Sequence, residues 1–344
     1  MSGVIFFEDR ADQICARLGI GRESVRRIGL GLCYSDQGVD ADLVHTTRGA
    51  GDDLAMSVLV EGQPMDVHGQ GIPVPTDFGL RNRLDKWTES SDGDPIGTGE
   101  GVLIGVVDSG IVPNPWLTGG FLAAPDDFES RIAGRHTEPD DDSPNSPLEI
   151  GHGTFATGLI LQQAPAAGVW VERALGADGT ATARKVLEKA ETLARRGVDI
   201  LNLSLGAFAD DPAALPWGVV AVGAVDRSGN RLAPWSNRGP WLDLAAPGTD
   251  LVSTYIDGCL RPPDGSWTAF HGWARWSGTS FATAVASGAI AAVMTGPKGP
   301  RSAEEAVYAL RSGEYASGWV EADGDSPRIP VVKLRKWPGS DEAS

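Results

Sequence analysis

The stretch VLIGVVDSG, residues 102–110, runs for six residues without a polar side chain and then ends on an acid, a serine and a glycine. A strand with one wet face alternates apolar and polar residues. An unbroken apolar run marks a strand buried on both faces, as in a parallel sheet. VDILNL (198–203) and GVVAVGAV (218–225) read as two further buried strands. Two helical patterns lie between the first run and the second. GTFATGLILQQ (153–163) is apolar and rich in small residues. ATARKVLEKAETLARRG (181–197) places Val186, Leu187, Ala190, Leu193 and Ala194 at amphipathic spacing, with Gly197 as its stop. Strands alternating with helices predict an α/β domain of three layers, with a parallel central sheet between helices.

The flanks read differently. Residues 1–85 mix short apolar runs with polar breaks. VIFF suggests a strand, RADQICARLGI has helical spacing through Ala11, Ile14 and Leu18, and LAMSVLVEG and VHGQGIPVP suggest strands and turns. This predicts a small α+β N-terminal domain. Residues 86–101 have a linker's composition of Ser, Asp, Gly and Thr, residues 102–315 form the main domain, and 316–344 are a C-terminal extension. Within that extension IPVVKL reads as an edge strand, and the polar end GSDEAS as frayed.

Composition excludes several classes. The 344 residues carry a formal net charge of −17, which repels phosphate backbones and anionic membranes, so neither nucleic acid nor membrane is an expected partner. The 45 glycines follow no fixed period, against a collagen-like chain. Cys15, Cys33 and Cys259 are too few, and odd in number, for a disulfide framework. The N-terminus MSGVIFFEDR lacks a basic leader region, and FATAVASGAIAAVM is too short to span a bilayer. The expectation is a cytoplasmic protein.

In open parallel sheets, ligands collect beyond the carboxyl ends of the strands, and Asp108 stands at such an end. Alone it is no more than a loop acid. In EIGHGTFATG, His152 sits between Gly151 and Gly153, which permit close backbone approach, just ahead of a helix. In ARWSGTSFATAVASGAIAAV, Ser280 opens a helix of small residues. A serine there is usually a cap, but the helix's free N–H groups also suit an oxyanion formed beside a nucleophile. Each signal is modest alone. Asp, His and Ser in this order form one of the known catalytic-triad arrangements.

The segments GVLIGVVDSGI, GHGTFATGLI, VDILNLSLG, VGAVDRSGN, SNRGPWLDLAAPG and SGTSFATAVASG, in this order, resemble those of the subtilisin-like serine proteases. The resemblance covers roughly residues 96–315. It implies an endopeptidase with Ser280 as nucleophile, His152 as general base and acid, and Asp108 orienting the imidazolium. It also implies that Ser204, Leu205 and Gly206 pair with the backbone of an extended peptide or protein substrate. The N-terminal domain matches a prodomain by position only, and an accessory partner-binding role stands beside that reading.

One part of the family pattern is missing. Members place a helix, a buried strand and an Ala-Gly-Asn element between the SLG and VGAVD segments, and that asparagine donates to the oxyanion. Here Gly206 and Asp226 are about 20 residues apart, and FADDPAALPWG is too short to supply all three. The oxyanion donors left are the Ser280 backbone N–H, Asn230 if GVVAVGAV takes the missing strand's place, or a group from an activating partner or oligomer. Asn230 also reads as a plain turn residue after Gly229. The alternative function is a pseudoprotease that binds extended peptides or a partner protein without turnover. Ala284 and Val285 replace a common Pro-His pair, which predicts altered packing only.

The remaining motifs are weaker. DFGL (77–80) lacks the companions of a kinase triplet. The acidic run EPDDDSPNSP (138–147) has the oxygen-rich composition of a structural Ca²⁺ loop but no ligand spacing, so a solvated loop is expected and no metal or cofactor. Trp217, Trp235, Trp241, Trp273 and Trp276 lie around the expected active face, where lining a substrate groove stands beside the favoured reading of core and rim packing.

Overall fold

In the computed structural model the described residues are 2–7, 11–29, 32–39, 58–60, 65–66, 72–73, 97–112, 114, 117, 121–123, 151–176, 180–204, 219–260, 268–298, 301–322 and 328–335. The N-terminal part contains β1 (Ser2–Phe7), α1 (Ala11–Leu18), β2 (Val25–Gly29), β3 (Leu32–Val39) and β4 (Val58–Val60). These strands form an antiparallel sheet in the order β2-β3-β1-β4. Two short strands follow, β5 (Met65–Asp66) and β6 (Ile72–Pro73).

The main domain begins with β7 (Leu103–Asp108), every residue of which after Leu103 is buried. β8 (Phe121–Ala123), α2 (His152–Gln163), β9 (Gly168–Arg173), β10 (Thr180–Ala181), α3 (Ala183–Arg195) and β11 (Ile200–Leu203) come next. The sheet β11-β7-β9-β8 is parallel throughout. Its two faces bury different sets. Ile104 and Val106 join the large core, while Val107 packs with Val186, Ala190 and Leu193 of α3. Thr182 caps α3, accepting from the Lys185 N–H, and Gly197 ends it at φ 76°.

β12 (Val222–Val225), β13 (Leu244–Pro247), β14 (Leu251–Leu260), β15 (Thr268–Trp276), α4 (Thr279–Met294), α5 (Ala303–Arg311), β16 (Ala316–Glu321) and β17 (Arg328–Val332) complete the chain. β12, β13, β17 and β16 form a second sheet in that order, parallel except for the β16–β17 hairpin. β14 and β15 form a long antiparallel hairpin. α2 and α4 pack together so closely that a Cβ on Gly288 would lie 2.6 Å from the Ile160 carbonyl oxygen. α4 in turn underlies β11, β12 and β13.

Two expectations change. The central sheet is not continuous among the described residues: β11 and β12 belong to different sheets, bridged by α4. The connection between them, 205–218, lies outside the described residues. β17 is not an edge strand. It lies between β13 and β16, so the start of the expected C-terminal extension is part of the main domain's sheet.

The two parts of the chain also touch. β2 packs on α3, β5 pairs antiparallel with β10, and β6 pairs antiparallel with β15.

Candidate active site

Asp108 is the last residue of β7 and fully buried. Its own carbonyl accepts from the N–H groups of Ala174 and Leu175 beyond β9, which fixes the strand end. Its carboxylate accepts from the Ser109 N–H at 2.6 Å and from His152 Nδ1, which lies 2.8 and 3.0 Å from its two oxygens. A carboxylate is acceptor-only, so Nδ1 carries the proton and Nε2 the free lone pair.

His152 is placed by its neighbours. Gly151 caps α2 at φ 86°, and a Cβ there would meet the Tyr255 ring at 2.4 Å. A Cβ on Gly153 would lie 2.1 Å from the Gly110 carbonyl oxygen. Two hydroxyls bind the Asp108 loop to the helix: Gly153 N–H donates to Ser109 Oγ at 3.1 Å, and Val112 N–H to Thr154 Oγ1 at 2.8 Å. The imidazole is 2% exposed. It packs edge-on to Trp276 (centroids 5.5 Å, 88°) and tilted against Phe281 (5.0 Å), with Phe155 behind both. These rings keep water from the Asp108–His152 pair, which strengthens its electrostatics.

Ser280 lies in the first turn of α4, immediately before Phe281, whose ring packs against His152. Its backbone N–H is one of those a helix's own ladder leaves over. Its hydroxyl donates to the Ser204 carbonyl at 3.2 Å and, among the described residues, makes no hydrogen bond to His152. The Ser204 hydroxyl returns a bond to the Ser280 carbonyl at 2.9 Å. β11 and the start of α4 are therefore clasped together.

The structure thus gathers Asp108, His152, Ser280 and Ser204. Leu205 and Gly206 lie outside the described residues, as do DFGL, Trp217 and the acidic run 138–147. Asn230 is not gathered in. It sits exposed in the turn after β12, its N–H on Ser228 Oγ at 3.3 Å. It lines a hollow of about 360 Å³ with Arg231, Leu232, Arg238, Trp319, Val320, Glu321 and Arg328, none of which belongs to the triad. Among the described residues no cluster of three or more His, Cys, Asp or Glu could hold a metal ion, and no helix is long and apolar enough to cross a membrane. Ser109, Thr154, Asn202, Phe281 and Ser287 escaped the sequence reading as site residues, whereas Trp276 is among the tryptophans expected around the active face. Of those that escaped, only Asn202, a polar residue inside an apolar strand, carried a signal.

Comparison with known proteins fits this geometry. The model of the subtilase family matches in two pieces, residues 99–214 and 207–311. Subtilisin BL of Lederbergia lenta is 29% identical over 237 residues, covering 57% of this chain and 77% of the relative. Serine protease AprX of Bacillus subtilis (strain 168) is 25% identical over 313 residues, covering 67% of each. Among solved structures, a lanthipeptide protease shares the fold at 18% identity and a TM-score of 0.51, covering 77% of this chain and 97% of that one. The family model matches more than half of the chain, and the parallel sheets fit it: the chain belongs to the subtilase family.

Proposed function

We propose that the chain is a serine endopeptidase that cleaves peptide or protein substrates through Ser280, His152 and Asp108. The observation that carries this reading is the buried Asp108–His152 pair, held in one tautomer beside the helix turn that bears Ser280. A rotation about the Ser280 χ1 bond, between staggered wells, takes the hydroxyl from the Ser204 carbonyl toward Nε2. Nε2 accepts the proton as Oγ attacks the substrate carbonyl, and Asp108 stabilises the imidazolium. The proton then passes to the leaving amine, and water hydrolyses the acyl-enzyme by the reverse steps. Ser204, Leu205 and Gly206 hold the substrate backbone as an added strand.

The oxyanion is assigned to the Ser280 N–H, with any second donor supplied from outside the described residues or by a partner or oligomer contact. The turn position of Asn230 leaves that residue aside. Lack of one donor costs about 10²–10³-fold in kcat, a magnitude itself established in a subtilisin, so the enzyme is slow and not dead. The N-terminal unit is read as prodomain-like, supported by its packing on α3 and its strand pairings with β10 and β15.

The test is labelling by a fluorophosphonate probe, read by intact mass. Wild type should gain the mass of one probe less the HF expelled as the serine is phosphonylated, and Ser280→Ala none. A folded wild type that stays unlabelled overturns the reading and leaves a peptide-binding protein without turnover.

A further inference from the structure

The end of β11 carries a buried polar cluster whose side chains the chemistry above does not use. Asn202 is fully buried, Ser204 is 1% exposed and Ser287 is 5% exposed. Their hydrogen bonds run in one direction. The Ser204 hydroxyl has one proton, and it goes to the Ser280 carbonyl at 2.9 Å. Ser204 Oγ must therefore accept from Asn202, whose Nδ2 lies 2.7 Å away. This turns the Asn202 oxygen the other way, where it accepts from the Ser287 hydroxyl at 3.1 Å. Ser280 and Ser287 lie about two turns apart on α4, so one amide ties β11 to that helix at two heights.

The strand needs such ties. Among the described residues, β11 has a backbone ladder only on its β7 side, because β12 belongs to the other sheet. An amide buried in an apolar strand is costly unless its partners are complete, and here both ends of the amide are used.

We propose that Asn202 is a positioning residue for the nucleophile. It acts through Ser204. By filling the acceptor side of the Ser204 hydroxyl, it keeps that hydroxyl's proton aimed at the Ser280 carbonyl. That bond fixes the start of the helix turn on which the Ser280 side chain and N–H are mounted. The proposal rests on the reading of Ser280 as nucleophile.

The test uses the full chain and the fluorophosphonate probe, with kinact and KI measured separately beside the thermal unfolding midpoint. Asn202→Asp keeps the shape and the acceptor toward Ser287 but has no amide to donate. The Ser204 proton then turns to the carboxylate and leaves the Ser280 carbonyl. Ser204→Ala removes the link without adding a charge, and Ser204→Thr restores a hydroxyl. Both disrupting variants should lower kinact about tenfold at unchanged KI, the scale of one hydrogen bond, and Ser204→Thr should recover most of it. A merely structural role predicts a lower midpoint and a smaller labelled fraction, with wild-type kinact in the folded protein. That result overturns the proposal. Wild type without Ser280-dependent labelling removes the underlying reading and the proposal with it, so the wild-type arm tells the two failures apart.

Discussion

Gly151 is the position where the backbone leaves no choice of residue. Its φ of 86° is a conformation L side chains rarely adopt, and the Tyr255 ring fills the space a Cβ would need. Gly151→Ala should destabilise the protein by about 2–3 kcal/mol and move His152 off Asp108. Thermal unfolding should show the first effect and a fall in labelling of the residual folded protein the second. Asp108→Asn should leave the fold intact, because it keeps size and burial. It should cut peptide hydrolysis on the order of 10⁴-fold by favouring the wrong imidazole tautomer, the scale established for catalytic triads. In the sequence, glycines flanking His152 announce close backbone approach, whereas Asp108 alone reads as a loop acid and gains a partner only from the order Asp, His, Ser and the family resemblance. The orientation of the Ser280 hydroxyl was not legible, because it depends on a carbonyl supplied by a strand distant in sequence.

For whole elements, legibility followed how local the cause was. β7 and α2 announce themselves through their own residues, in an unbroken apolar run and a run of small residues. β17 was misread as an edge because IPVVKL is short and holds Pro330, and its neighbours β13 and β16 are not encoded within it. β13 is only four residues long, too short for any period to show. α3 is fixed by more than its apolar face. Glu172 on β9 is 2% exposed and pairs with Lys189 at 2.8 Å and Arg196 at 3.4 Å, while the Arg196 guanidinium stacks over Trp170 at 3.7 Å. Lys189→Ala removes the nearer partner of a buried carboxylate and should cost about 2–3 kcal/mol in chemical denaturation, at the lower end for such pairs because the lysine is partly exposed. Beyond α5, Glu314 accepts hydrogen bonds from Arg301 and Lys298, which precede that helix, and they hold its carboxyl down at about 2. A carboxyl depressed in the folded state stabilises above its unfolded value and loses that contribution as pH falls through the folded one. The stability gap between wild type and Glu314→Gln should therefore be level at neutral pH, shrink below about pH 4 and vanish near pH 2. Unfolding midpoints measured for both proteins across that range check the sign.

At the scale of the whole chain, the N-terminal part is tied to the main domain through two strand pairings. β6 pairs with Ala274 and Arg275, a few residues before Ser280, and β5 pairs with Thr180 and Ala181, just before α3. A peptide substrate that binds as an added strand needs free strand edges of this kind. Here the chain itself fills the edges of β10 and of β15, the strand that leads into α4 and Ser280, and does so at a high effective concentration. The full-length protein should therefore label slowly even with an intact triad, and weakening the pairings should speed it. Met65→Pro removes a ladder donor from β5, and Ile72→Pro one from β6. Each should raise the labelling rate several-fold, and the double variant further, with Ser280→Ala still inert in either background. Faster labelling would mean that the unit obstructs the cleft. Unchanged labelling in variants that keep the N-terminal unit folded would mean that the cleft is already open, and slow turnover would then lie with the shortened connection between β11 and β12.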